Sequence, residues 1–122
     1  MQVTIAALSI AAALVFLLAG GMKVAMRPRV AKNLRRLGVG SGRIRLIGVL
    51  EIAGAIGLIA GMWWPPLRIA AATGFVCLLT GALIYHARAG DFGRRGTRAE
   101  AAAPGALLVV TGVIGALSLS VL

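Results

Sequence analysis

The chain reads as an all-α integral membrane protein, a four-helix up-and-down bundle forming one domain over residues 1–122. Three observations predict this. Of its 122 residues 60% are hydrophobic and 13% charged, a balance no ordinary soluble domain has. Its mean hydropathy is +0.97. Four apolar stretches also recur at the length of about 20 residues that a helix needs to cross about 30 Å of hydrocarbon.

The first span, 3–22, has no charge; the second, 46–64, has only Glu51; the third, 67–86, starts beside Arg68 and ends at His86; the fourth, 104–122, has none. Glycine and alanine fill these stretches and would weaken helices in water. In lipid the backbone has nowhere else to place its hydrogen bonds, so helix is expected. The first span is not expected to be a cleaved leader, because a secretory signal carries its positive charge ahead of the apolar run and here the basic residues follow it. Pro66 suits the first turn of the third helix, and Trp63 and Trp64 suit an interfacial aromatic belt.

The charge of +10 sits almost wholly in two loops. Residues 23–45 hold eight Lys and Arg with no acid, and residues 88–103 hold four Arg against Asp91 and Glu100. The bias of basic residues toward the cytoplasm predicts both loops inside and both termini outside, with Arg68 snorkelling to outer headgroups. Short loops pinned at the inner leaflet point to anionic lipid as partner rather than nucleic acid. Val30, Leu34 and Leu37 recur at helical spacing among Arg29, Lys32, Arg35 and Arg36, with Gly38 placed to end the turn. Two readings stay open for this stretch: a short interfacial helix, or a mobile basic tether.

Small residues are expected where helices meet in lipid. Candidate stripes are Gly54, Gly57 and Gly61 in the second span, Ala70, Gly74, Cys77 and Gly81 in the third, and Gly112, Ala116 and Ser120 in the fourth. Four helices leave little interior, which suggests a homo-oligomer or a larger membrane complex. Cys77 reads as one more packing residue, since a thiol in apolar surroundings keeps its proton.

Glu51 lies six residues past Arg45, about 9 Å along a helix, below the headgroups where an unpaired carboxylate is costly. Alternating span directions bring Lys23, Glu51 and His86 to similar depth. The expected arrangement is the Glu51 carboxylate between the Lys23 ammonium and the His86 imidazole, with Tyr85 and Arg88 as further donors. Glu51 and His86 are then the candidate acid/base or ligand pair, and Lys23, Tyr85 and Arg88 candidate binding residues; a purely structural pairing that holds helix register is the competing reading. One His, one Cys and one intramembrane Glu make no convincing metal site. No CxxC or phosphate-binding glycine loop is present, and Ser9, Ser118 and Ser120 fall in the outer half, away from His86, which argues against a serine nucleophile.

The stretch GVLEIAGAIGLIAG, residues 48–61, resembles the central motif of the DoxX-like family of small four-span bacterial membrane proteins. AGGMK at 19–23 and YHAR at 85–88 resemble its flanking signatures. The resemblance spans essentially the whole chain and implies a four-helix bundle in the cytoplasmic membrane. It also implies membership of a redox or quinone-linked system, with quinone as the candidate cofactor and a soluble redox partner at the basic face. Two alternatives stand beside that reading. A small proton-coupled exporter of lipophilic cations would use a lone membrane carboxylate, although the glutamate is in the second span and aromatic residues for a cation cavity are missing from the spans. A stand-alone enzyme acting on a lipophilic metabolite would use Glu51 and His86 as acid and base, although a bundle of 12.5 kDa is expected to have scant room for a pocket of several hundred Å³.

Overall fold

A computed structural model describes residues 2–93 and 95–121 of the chain. The described residues form five α-helices in chain order: α1 (Gln2–Val24), α2 (Pro28–Arg36), α3 (Ser41–Ala60), α4 (Pro65–Arg88) and α5 (Arg95–Ser120), with a single 3-10 turn at Asp91–Gly93 before α5. Met1, Arg94 and Leu122 lie outside the described residues, as do the side chains of 95–101, which include Arg95, Arg98 and Glu100 of the second basic loop. Three helical stretches are long and apolar enough to cross a membrane: Gln2–Val24, Pro65–Arg88 and Ala102–Ser120. Most of the expected second span is also helical, as part of α3, whose 20 residues carry Arg43, Arg45 and Glu51.

The helix ends differ from the expected spans for local reasons. α3 begins at Ser41, not residue 46, so its first turns hold Arg43 and Arg45, and it stops at Ala60 before a turn through Gly61–Trp63. α4 opens on Pro65 after an extended Trp64 (φ −137°, ψ 91°), where proline costs no hydrogen bond. α5 begins nine residues ahead of Pro104, which therefore lies inside the helix. The run AEAAA before it, rich in alanine, carries the helix through much of the stretch expected to be loop. The basic segment after α1 forms the short helix α2. Its entry at Met26 has φ +53° and its exit at Gly38 has φ +90°, both in the left-handed region.

Apolar side chains cover the outside of the molecule as well as the inside. Leu14, Leu18, Ile56 and Val109 are each more than half exposed. Hydroxyls on the long helices turn back on their own backbone: Thr73 donates to the Ile69 carbonyl at 2.8 Å, Thr80 to Val76 at 2.7 Å and Ser118 to Ile114 at 2.6 Å. Polar groups satisfied within their own helix are what a solvent without hydrogen bonds demands.

Neighbouring helices pack antiparallel. Gly20 of α1 meets Gly48 of α3, Gly54 and Gly57 of α3 meet Phe75 and Ala71 of α4, and Gly115 of α5 faces Ala72. α1 also packs on α5, which closes the ring. Inside it lie Ala12, Ala13, Phe16, Ala55, Leu58, Ala72, Phe75, Leu79 and Ile114. Phe16 and Phe75 stack across the middle with ring centroids 3.7 Å apart. The closest approach is at Gly20 and Gly48, where a Cβ on either residue would sit 2.7 Å from the other's carbonyl oxygen. Only glycine at both positions lets the backbones touch.

Two of the expected stripes face elsewhere. Ala70, Gly74 and Cys77 of α4 are exposed, and a Cβ at Gly74 or Gly81 would meet nothing within 4 Å. Cys77 is therefore exposed, at the wall of a cavity, and not an internal packing residue. In α5 the buried positions are Thr111, Ile114 and Ser118, one face round from Gly112, Ala116 and Ser120. Large residues set the inward face in both helices: Phe75 and Leu79 in α4, and Ile114 in α5.

Arg68 does not snorkel outward. It is 3% exposed, donating from Nε to Ser118 Oγ at 2.8 Å and from Nη1 to the Gly61 carbonyl at 3.2 Å. α3 ends there, so its last carbonyls are open to a cation, and Gly61 has no side chain to keep the arginine stem away. Unfolding in detergent followed by tryptophan fluorescence tests the helix contacts. Gly48→Ala should destabilise by about 1–3 kcal/mol through overpacking. Gly74→Ala, in open space, should be neutral or stabilise by about 0.5–1 kcal/mol.

Candidate functional site

The crossing of α1 and α3 brings their polar residues together. Lys23 stands in the last turn of α1, one turn beyond Gly20, and Glu51 stands one turn beyond Gly48 on α3. Their side chains meet with Nζ 2.6 Å from Oε1. Glu51 is 5% exposed, and its Oε2 is buried with no hydrogen-bond partner among the described residues. The expected Lys23–Glu51 contact is thus present.

His86 does not complete that pair as expected. α4 ends at Arg88, Gly90 takes a left-handed φ of +74°, and the chain turns back so that Asp91 faces the helix it has just left. His86 Nδ1 lies 2.5 Å from Asp91 Oδ2. Arg36, from the end of α2, donates to the same carboxylate in a fork, Nη1 to Oδ1 at 2.8 Å and Nη2 to Oδ2 at 3.0 Å, and steadies itself on Asn33 Oδ1 at 2.8 Å. Asp91 is fully buried. The hydrogen bonds from Arg36, helped by His86, hold its carboxyl well below the usual carboxylate range, although burial acts the other way. An ionised carboxylate only accepts, so the shared proton belongs on His86 Nδ1.

The sequence reading counted Asp91 only among the charges of the second basic loop and assigned His86 to Glu51 by depth. A helix ending in His, then Gly as a left-handed cap, then Asp held the signal for a local return. Arg36 lies 55 residues away, and no spacing rule connects it to Asp91.

The Lys23–Glu51 pair and His86, though not its partner Asp91, border one cavity of about 570 Å³. It occupies the half of the ring between the Phe16–Phe75 stack and α2, and its wall includes Lys23, Glu51, Tyr85 and His86. α2 closes one side with Arg29, Val30, Asn33 and Leu34, of which only Arg29 and Asn33 are polar. Arg88 is exposed at the end of α4 and is not part of the wall. The expectation of scant room fails because small residues, Ala19, Gly81 and Ala82, line the space and α2 spans it from the side. Arg29 and Asn33 were not foreseen as wall residues. Among the described residues no three of His, Cys, Asp and Glu come together to hold a metal ion.

The arrangement can bind a molecule that is mostly apolar with one polar end, and it can hold protons at Glu51 and His86. The Asp91 carboxylate also latches α2 to the end of α4. Its lowered pKa gives a stabilising contribution that is complete above the unfolded value of about 3.9 and is lost as pH falls below it toward the folded one. Amide exchange of residues 28–36, normalised to intrinsic rates, should therefore rise at acid pH below about 4. In Asp91→Asn it should be raised at neutral pH too, by roughly tenfold or more.

Comparison with known proteins agrees with the helical membrane architecture. The uncharacterized protein YdgD of Bacillus subtilis (strain 168) is 38% identical over 73 residues. That match covers 59% of this chain and 64% of the relative, less than two thirds of its length. No solved structure matches the chain. The model of the DoxX-like family matches residues 7–114, nearly the whole chain and all of the cavity wall, and the chain belongs to that family.

Proposed function

We propose that the protein is a four-span, up-and-down bundle of the bacterial cytoplasmic membrane that binds an amphiphilic molecule in its basic half, as the membrane component of a redox or quinone-linked system. α3 is the fourth span in this reading. Its arginines Arg43 and Arg45 lie in its first turns, where they reach headgroups, and Glu51 is covered by the close approach of α1. Both basic segments face the cytoplasm and both termini face outward. The exposed Arg27, Lys32, Arg35, Arg43 and Arg45 meet anionic lipid, and the same face receives a soluble redox partner. The exposed Ala70 and Gly74 of α4 suit a second copy or another membrane subunit.

The cavity carries the functional part of this reading. A site of several hundred Å³, mainly apolar with a few polar groups converging at one end, is the ordinary form of a small-molecule site. A quinone fits its chemistry: ring carbonyls need donors, and the wall offers the Lys23 ammonium, the Tyr85 hydroxyl and the Asn33 amide, while an isoprenoid tail needs the aliphatic remainder. A bound quinone would supply two-electron, two-proton carrier chemistry. The chain's own residues would bind the head, exclude water and hold protons, with the Nδ1–H of His86 fixed by Asp91.

A second reading, an acid/base enzyme acting on a lipophilic metabolite, is favoured by one observation: Glu51 and His86 line the same space. The two readings separate by what the cavity retains.

Gentle extraction from native membrane followed by mass spectrometry should find a lipophilic redox carrier bound to the full chain. Ala82→Trp, which fills the cavity, should reduce its occupancy at least about tenfold. Equal occupancy in the filled variant would place the carrier elsewhere and remove this reading. For orientation, in a Cys77→Ser background, an impermeant maleimide added to intact cells should label Trp64→Cys and leave Asn33→Cys unlabelled.

A further inference from the structure

The Lys23–Glu51 pair is incomplete in a specific way. Lys23 takes Oε1 and leaves Oε2 buried and unpartnered among the described residues. A carboxylate offers lone pairs on both oxygens, and an unmet buried acceptor carries its full desolvation cost. No other donor of the cavity wall, the Arg29 guanidinium, the Asn33 amide and the Tyr85 hydroxyl included, hydrogen-bonds to Oε2. α1 approaches at Gly20 and α3 brings Gly48 and Ile52, whose helical backbone amides are committed to their own helices. The Nδ1–H of His86 goes to Asp91, and Arg36 goes to Asp91 and Asn33. Meanwhile Glu51 forms part of the wall of a cavity of about 570 Å³.

We infer that the cavity selects an amphiphile bearing a hydroxyl or N–H donor at its polar end, which donates to Oε2 of Glu51. This rests on the cavity being a ligand site. The donor is the discriminating feature, because a buried acceptor built to meet a hydroxyl penalises the otherwise identical molecule that lacks one. Leu34, Leu37, Leu78 and Leu79 take the apolar remainder without specifying its length. In a quinone-linked role the same preference ranks a hydroquinone above the corresponding quinone, since only the reduced ring carries hydroxyl donors. Glu51 in this assignment is a specificity residue, and Lys23 orients it through Oε1.

The probes are 4-hexylphenol and its methyl ether, which differ in the donor alone. Calorimetric titration into the full chain in lipid nanodiscs, corrected against empty nanodiscs, should show the phenol binding on the order of ten- to a hundredfold tighter than the ether. In Glu51→Leu the two affinities should become equal. Should that variant fail to fold, infrared difference spectra of the wild type decide the matter: the carboxylate bands should shift with the phenol and stay unmoved with the ether. Equal affinity for both probes in the wild type, or bands indifferent to the phenol, would overturn the donor preference while leaving the cavity as a site. Failure of both probes to bind at all would overturn the ligand-site reading together with it.

Discussion

The contact on which the rest depends is the meeting of two backbones at Gly20 and Gly48. In hydrocarbon no hydrophobic force pulls helices together, so association rests on how closely they fit. With a carbonyl of each helix where a side chain would otherwise stand, α1 and α3 approach as closely as helices can. One turn from that point on each helix, and so on opposite sides of the antiparallel crossing, Lys23 and Glu51 reach across it to each other at a depth where neither could remain charged alone. The ion pair follows from the crossing. Even so, the crossing leaves Glu51 half satisfied, because one ammonium can cover only one of its oxygens well.

A second polar group works by a different logic at the end of α4. Asp91 is entirely buried yet stays ionised, since a forked guanidinium and an imidazole together replace the water it has lost. It ties three pieces together: the C-terminus of α4 through His86, the end of α2 through Arg36, and the turn that leads to α5. α2 has few internal reasons to stay folded across the cavity, being nine residues long with five basic residues in and beside it. Its apolar underside and this one carboxylate hold it in place. At the opposite end Arg68 does comparable work, closing the last turn of α3 against Ser118 of α5.

Much of this was legible in the sequence, and the limits have physical causes. Helix positions followed from apolar length, since lipid allows the backbone no alternative. The Lys23–Glu51 contact followed from depth, which depends only on counting along antiparallel helices. The glycines of α3 were read correctly as contacts. Rotation about the helix axis was harder: small residues on α4 looked like an interface, but Phe75 and Leu79 on another face had more area to bury and took the interior. Depth also placed His86 level with Glu51, yet a nearer acceptor five residues on, turned inward by Gly90, claimed its Nδ1. The Arg36–Asp91 fork joins segments 55 residues apart and has no local signature at all. The cavity was missed because volume is what remains after side chains pack, and apolar patterning carries no measure of it.

The two left-handed joints at Met26 and Gly38 bear on how such a chain can vary. α2 is strung between them with no slack, and each residue added or removed would turn it by about 100° on its axis. A single deletion there would swing Val30 and Leu34 off the cavity and carry Arg36 away from Asp91, whereas exchanging one arginine for a lysine on the outer face would disturb neither. Among proteins built on this plan, the number of residues between the joints is therefore constrained more tightly than the identity of the charges they carry.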